Sequence, residues 1–270
     1  MLPQAIHLAL VGAAIVLGMM FVLWLIHLLN DNAAIVDVGW AAGLAILAIY
    51  YAYAGPGYSA RKWAIAAMVG FWGFRLAGLL LFARVIGHPE EGRYVQLRKE
   101  WKKNLALRFL FFFEFQALLD VVLSLPFLLA CIDPRAPLGF LEKFAAGLWL
   151  MAMIGEAIAD QQLDAFKKNP ENKGKTCRAG LWKYSRHPNY FFDWLVWVAY
   201  AVFALSSPYG YLALISPALI LYFLLGVTGI PATEAQALRS RGDEYRAYQR
   251  ITNSFVPWFP KPLSEKKEQA

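Results

Sequence analysis

Charge is what this 270-residue sequence has least of: 17% of its residues are Asp, Glu, Lys or Arg, while 59% are hydrophobic. A soluble domain of this length has no use for so much apolar surface. Cysteine is scarce too. Cys131 and Cys177 stand far apart, form no metal-binding or redox motif, and are not expected to pair. No metal site is expected. There is no internal repeat and no low-complexity tract, and the longest polar stretches, 87–108, 167–188 and 231–270, leave no room for a separate soluble domain. A cleavable leader is not expected, because the first apolar run, 5–29, is long enough to span a bilayer and follows no basic segment.

Apolar runs of spanning length do recur, at about 5–29, 34–54, 62–86, 109–131, 138–166, 189–206 and 209–229. Ten Trp, 13 Tyr and 19 Phe suit membrane–water boundaries. The net charge of +7 is concentrated rather than spread: 21 of the 26 basic residues fall in the segments after the third, fifth and seventh runs. Seven spans put all three segments on one side, whereas six or eight would scatter them. The sequence therefore predicts an all-α integral membrane protein of seven transmembrane helices, with the N-terminus outside and the C-terminus cytoplasmic. Residues 1–260 form a single domain in this reading, and 261–270 form a disordered charged tail. The bilayer is the expected partner, nucleic acid is not, and the oligomeric state is not legible.

Ionisable groups inside a span are costly and mark candidate sites. Asp37 lies near the start of the second run, Arg75 in the third, Glu114 and Asp120 in the fourth, and Asp193 in the sixth. In the fifth, Glu156, Asp160 and Asp164 recur every four residues and so share one helix face, with Lys167 just beyond. Asp164 and Lys167 fit a solvated helix extension. Glu156 lies about two turns deeper and fits that poorly, so Glu156 and Asp160 are expected to line a site. Asp37 also fits an ordinary helix-start carboxylate. Glu114 and Asp120 are expected simply to pair with nearby Lys or Arg.

The segment 177–193 is basic, ends at the start of a span, and gathers guanidinium, imidazole, phenol and amide groups in Arg178, Tyr184, Arg186, His187, Asn189 and Tyr190. Pro188 suits a first helical turn, where free amides favour an anion. A phosphate-bearing ligand fits this chemistry, with Tyr184 and His187 among its donors. Positive-inside charge alone explains the lysines but not the dense Arg-His-Pro-Asn-Tyr cluster.

That block, Gly180-Leu181-Trp182-Lys183-Tyr184-Ser185-Arg186-His187-Pro188-Asn189-Tyr190, resembles the steroid 5α-reductase family in its bacterial membrane branch. Ile35-Val36-Asp37-Val38-Gly39-Trp40, Trp72-Gly73-Phe74-Arg75-Leu76 and Gly229-Ile230-Pro231-Ala232-Thr233-Glu234 with Gly242-Asp243-Glu244-Tyr245 fit in the same order. The resemblance implies a bacterial inner-membrane enzyme that binds NADPH in its cytoplasmic half and reduces the C=C of a lipid-soluble enone such as a 3-oxo-Δ4 steroid. It implies cofactor contacts at Arg75, Arg93, Glu156, Asp160, Lys167, Arg178, Asn189, Asp193, Glu234 and Tyr245. It places Asp37 at the substrate carbonyl; if burial keeps that carboxyl protonated, chemistry would let it donate to the enolate oxygen. Trp72 stands where the steroid enzymes have a tyrosine beside that carboxylate, Glu156 where they have an amide, and Glu234 where they have a histidine. The Arg-His-Pro-x-Tyr core is shared with S-adenosylmethionine-dependent membrane methyltransferases for phospholipids and isoprenylcysteine, the alternative reading. Those enzymes commonly pair it with adjacent glutamates, and here Glu234 stands alone.

Overall fold

Proline and the run lengths decide where the helices break. The computed structural model describes residues 2–262, and every regular element among them is helical: α1 (Leu2–Asn30), α2 (Ile35–Ala54), α3 (Ser59–Leu80), α4 (Gly92–Trp101), α5 (Leu105–Leu123), α6 (Leu125–Ile132), α7 (Phe140–Lys168), α8 (Pro188–Ala204), α9 (Ile215–Tyr222), α10 (Ile230–Arg241) and α11 (Asp243–Ile251). Single π-helical turns extend α3 through Val85 and carry α9 to Val227.

Among the described residues four helices are long and apolar enough to cross a membrane: Leu2–Asn30, Ile35–Ala54, Ser59–Val85 and Gly210–Arg241. A fifth is added if α5 and α6 are one span bent by 42°. The protein is thus an all-helical membrane protein. The fourth apolar run divides because Pro126 has no N–H to donate and its ring crowds the preceding turn. α7 has the length to span but carries Glu142, Lys143, Glu156 and Asp160, and α8 has only 17 residues. The loop expected at 87–108 contains α4. Of the tail expected to be disordered, residues 263–270 lie outside the described residues. Before them the Lys261 amide donates to the Ile251 carbonyl at 2.8 Å.

The chain forms two compact units, Met1–Ala146 with Tyr200–Ser216, and Gly147–Ala199 with Pro217–Ala270. In the first unit α2 packs along α3 around buried Tyr51, Trp72, Phe109, Phe113 and Phe127. Its loop end holds a buried ion network. Arg61 Nε donates to Glu142 at 2.7 Å, Arg61 Nη1 lies 3.6 Å from Asp133, and Arg135 holds the other side of Asp133 at 2.8 Å. Burial alone would push Asp133 up, but the Arg135 hydrogen bonds and the Arg61 charge outweigh it and hold the carboxyl below its ordinary range.

Asp120 on α5 is buried against α2, its carboxyl packed on the Gly43 backbone. The basic partner expected of it is absent among the described residues, and neither of its oxygens has a hydrogen-bond partner there. In the second unit the latter part of α7 meets α8 closely: a Cβ at Gly155 would stand 2.5 Å from the Phe192 ring, so only glycine fits without movement. The short 3-10 turn 180–183 docks on α7 through Trp182 Nε1 to the Ala159 carbonyl at 2.9 Å and the Leu181 amide to Gln162 at 2.9 Å.

Candidate functional site

In the first unit Asp37 sits in the first turn of α2, where the helix dipole favours a carboxylate. Arg93 of α4 pairs with it directly, Tyr94 donates its phenol hydrogen at 2.9 Å, and Arg84 stands at 3.8 Å. The Arg93 guanidinium also lies 4.6 Å over the Tyr94 ring. Glu90 fixes this corner: it accepts the Ala33 amide at 2.8 Å and holds Arg98 at 2.7 Å. Burial works against the Arg93 charge, but Asp37 outweighs it and raises the Arg93 pKa. Tyr94 is fully buried, and burial together with the Asp37 charge pushes its phenol up. In these contacts Asp37 accepts from both Arg93 and Tyr94. The hydrogen-bonding phenol beside Asp37 is Tyr94. Trp72 is buried instead at edge-on contacts with Trp40 (5.9 Å) and Tyr200 (6.4 Å). Arg75 is half-buried on the same helix as Trp72.

In the second unit the carboxylate face of α7 grades outward: Glu156 is buried, Asp160 half-buried and Asp164 exposed. Asn189 donates to Asp160 at 3.1 Å and accepts the Tyr190 amide at 3.0 Å, tying the start of α8 to α7. Asp193, one turn further along α8, is half-buried.

The Arg-His-Pro block is organised by Glu234 of α10. That carboxylate takes Arg186 Nε at 2.6 Å, His187 Nε2 at 3.3 Å, Gln249 at 2.8 Å and the Tyr245 hydroxyl at 3.4 Å. Ser185 accepts the His187 amide at 3.1 Å and donates to the Phe255 carbonyl at 2.7 Å. His187 then stacks on Tyr190 at 5.3 Å. Burial first, and the Glu234 charge second, raise the Tyr245 phenol to about 12, so it stays a neutral hydrogen-bond donor at physiological pH.

Around this block lies a cavity of about 270 Å3 wholly within the second unit. Of the residues expected to hold a cofactor, Lys167, His187, Asn189 and Tyr245 line it. The others in this unit do not. Glu234 is spent on Arg186 and His187. Arg178 is spent on Glu244, which takes it at 3.0 Å and also binds Thr176. Tyr184 faces the C-terminal strap, where Phe259 packs on its ring at 6.0 Å. Glu156, Asp160 and Asp193 lie outside the lining.

Sequence reasoning missed the wall built by α10, where Thr233, Gln236, Ala237 and Ser240 recur at spacings of three and four. That periodicity places them on one helix face and was the available signal. Arg241 continues that face at the end of α10, while Thr176 and Tyr248 also line the cavity and carried no local signal. The donors suit a phosphorylated nucleotide: amide, imidazole and phenol groups with aromatic faces, plus Lys167, Arg186 and Arg241. The volume takes a nucleoside-sized part of a dinucleotide rather than the whole.

A family described as "Protein of unknown function (DUF1295)" matches residues 23–252. An uncharacterized protein of Schizosaccharomyces pombe, C594.04c, is 26% identical across 87% of this chain and 76% of its own. No solved structure matches.

Proposed function

Taking the chain as a member of the family of proteins of unknown function (DUF1295), to which it belongs, we propose that it is an NADPH-dependent membrane reductase acting on the C=C of a lipid-soluble enone, with a 3-oxo-Δ4 steroid as the test substrate. The observation that carries this reading is the second-unit cavity. It collects Lys167 from α7, His187 from the loop, Asn189 from α8 and Tyr245 from α11, four residues that the reductase resemblance and the chemistry of the block had singled out independently of any structure. In this reading the chain spans a bacterial inner membrane seven times, and the three basic segments face the cytoplasm, where NADPH is found.

Bound NADPH would supply hydride to the β-carbon of the enone. The chain's own residues orient and donate. His187 is held by Glu234 and Tyr190, so its ring cannot rotate freely. Asn189, steadied by Asp160, offers an amide. Tyr245 presents a neutral phenol. At Asp37 the donors available to a developing enolate oxygen are Arg93 and Tyr94, with the carboxylate orienting both.

A second reading has its own support. A cavity of 270 Å3 suits a cofactor smaller than a dinucleotide, and the Arg186–Glu234 pair joins the Arg-His-Pro block that S-adenosylmethionine-dependent membrane methyltransferases share to the single glutamate standing where they have an adjacent pair. The deciding experiment is NADPH oxidation by purified protein with a panel of membrane-soluble enones that includes a 3-oxo-Δ4 steroid. Enone-dependent oxidation supports the reductase. Its absence, with methyl transfer from S-adenosylmethionine to a lipid acceptor, overturns it.

A further inference from the structure

Large apolar side chains are kept covered through most of the second unit, with one exception. Among the described residues of 159–199 and 228–262, those left exposed are Val256, Trp258 and Phe259, at 54%, 66% and 74%. All three belong to the strap 252–262 that follows α11. A single exposed apolar group is ordinary, whereas three within four residues form a patch that marks a contact surface.

The strap is pinned in place. Ser185 donates to the Phe255 carbonyl at 2.7 Å, the Trp258 amide to the Tyr184 carbonyl at 2.9 Å and the Lys261 amide to the Ile251 carbonyl at 2.8 Å. Phe255 turns inward, its ring 5.6 Å from Phe191 and 5.7 Å from Trp194 in the first two turns of α8. The strap therefore lies level with the start of α8, which the seven-span topology puts at the cytoplasmic membrane boundary. Pro257, Pro260 and Pro262 have no N–H, and the Trp258 and Lys261 amides are already spent, so an apolar boundary would strand few backbone donors here. Cations frame the aromatic pair. Lys183 Nζ lies 5.9 Å over the Tyr184 ring, and Phe259 packs on that same ring at 6.0 Å. The bond to Ile251 sets Lys261 beside the residue that follows Arg250. Lys183, Arg250 and Lys261 are exposed, and 252–262 contains no Asp or Glu. Positive charge alone distinguishes nothing in this unit. Charge around an exposed indole and phenyl ring does, because that combination suits the headgroup zone of a bilayer.

We propose that Val256, Trp258 and Phe259 insert into the headgroup zone of the cytoplasmic leaflet, and that Lys183, Arg250 and Lys261 bind anionic phospholipid headgroups there. The strap is then a membrane contact in addition to the spans. This rests on α8 crossing the bilayer and not on any chemistry at the cavity. Three side chains fall well short of the roughly 800 Å2 per partner that a stable protein interface buries, whereas a lipid boundary asks only for a few apolar groups and a rim of cations. A rim of lysine and arginine without an acid matches an anionic leaflet.

The test reads Trp258 fluorescence in the full-length protein reconstituted into nanodiscs. The Trp258 component is the emission of wild type minus that of Trp258→Phe, which keeps an apolar ring. Trp258→Tyr gives the same subtraction should the first variant fail to fold. In phosphatidylcholine discs, bromine near the headgroup end of the chains should quench this component, and aqueous acrylamide should spare it. Brominated phosphatidylglycerol should quench it about twofold or more beyond brominated phosphatidylcholine at equal mole fraction, since three cations attract the anionic lipid. Lys183→Gln/Arg250→Gln/Lys261→Gln should abolish that excess and leave the phosphatidylcholine quenching in place. Equal quenching by the two lipids in wild type, or an excess that survives the glutamine variant, overturns the headgroup assignment and the proposal with it. A component quenched by acrylamide and untouched by brominated chains puts the strap in water and overturns the proposal. Protection from both quenchers, in discs that hold two copies, means that a second copy covers the strap, and the proposal falls.

Discussion

Glu234 shows how far a single side chain can organise this protein. It is not a wall of the cavity; it holds Arg186, His187, Tyr245 and Gln249 in place around it. Removing one member of a largely buried ion pair leaves the other charge without compensation. Glu234→Gln is therefore expected to cost on the order of 3 kcal/mol, seen as a lower melting midpoint in detergent. Asp243→Asn, at a carboxyl 95% exposed, should leave that midpoint unchanged. Equal midpoints for the two variants would contradict the role given to Glu234.

Asp37 can be tested through its partners. Asp37→Asn and Tyr94→Phe should both lower enone turnover at saturating NADPH by about tenfold or more, as loss of an oriented donor does. Unchanged turnover in both would remove this corner from the mechanism. The residue scale is also where the sequence was least legible. Asp37 was identifiable as a costly charge, but its partner Tyr94 lies 57 positions away on a helix that the loop composition hid. Likewise Arg61 reads as a flanking charge, yet Asp133 and Glu142 bury it from far along the chain.

Periodicity served better at the scale of elements. The four-residue spacing of Glu156, Asp160 and Asp164 predicted one face grading from buried to exposed, and α7 presents it so. The run drawn over 109–131 as one straight span is bent by 42° at Ser124, because composition alone does not weigh the lost N–H of Pro126 against a continuing apolar run.

Two glycines of α7 give a paired test. Gly155→Ala drives a Cβ into Phe192 and should destabilise the second unit by about 1–3 kcal/mol. Gly147→Ala meets nothing within 4 Å and should be neutral or gain up to about 1 kcal/mol from helix propensity. Thermal melts of the two variants check the contrast.

The loop network of the first unit has a pH signature. Because Asp133 titrates below its ordinary value when folded, its stabilisation is present above the unfolded value, about 3.9, and is lost as pH falls through the lower folded value. The melting midpoint should drop steeply below about pH 4, and Asp133→Asn should flatten that limb. A limb of unchanged steepness in the variant would assign the acid loss to other groups.

At the scale of the whole molecule, exposed apolar side chains cover α1 on most of its surface, as a lipid-facing helix requires, and the helical membrane class was readable from composition. The charge distribution predicts an external N-terminus and an internal C-terminus. A fluorescent protein fused after Ala270 should glow in cells, and alkaline phosphatase fused there should be inactive; active phosphatase would reverse the topology. The most direct test of the central claim is ligand-dependent melting of the detergent-solubilised protein. NADPH should raise the midpoint by several degrees at concentrations well above its dissociation constant, since a ligand bound only by the folded state stabilises it, and S-adenosylmethionine should not. A rise with S-adenosylmethionine and none with NADPH would contradict the account.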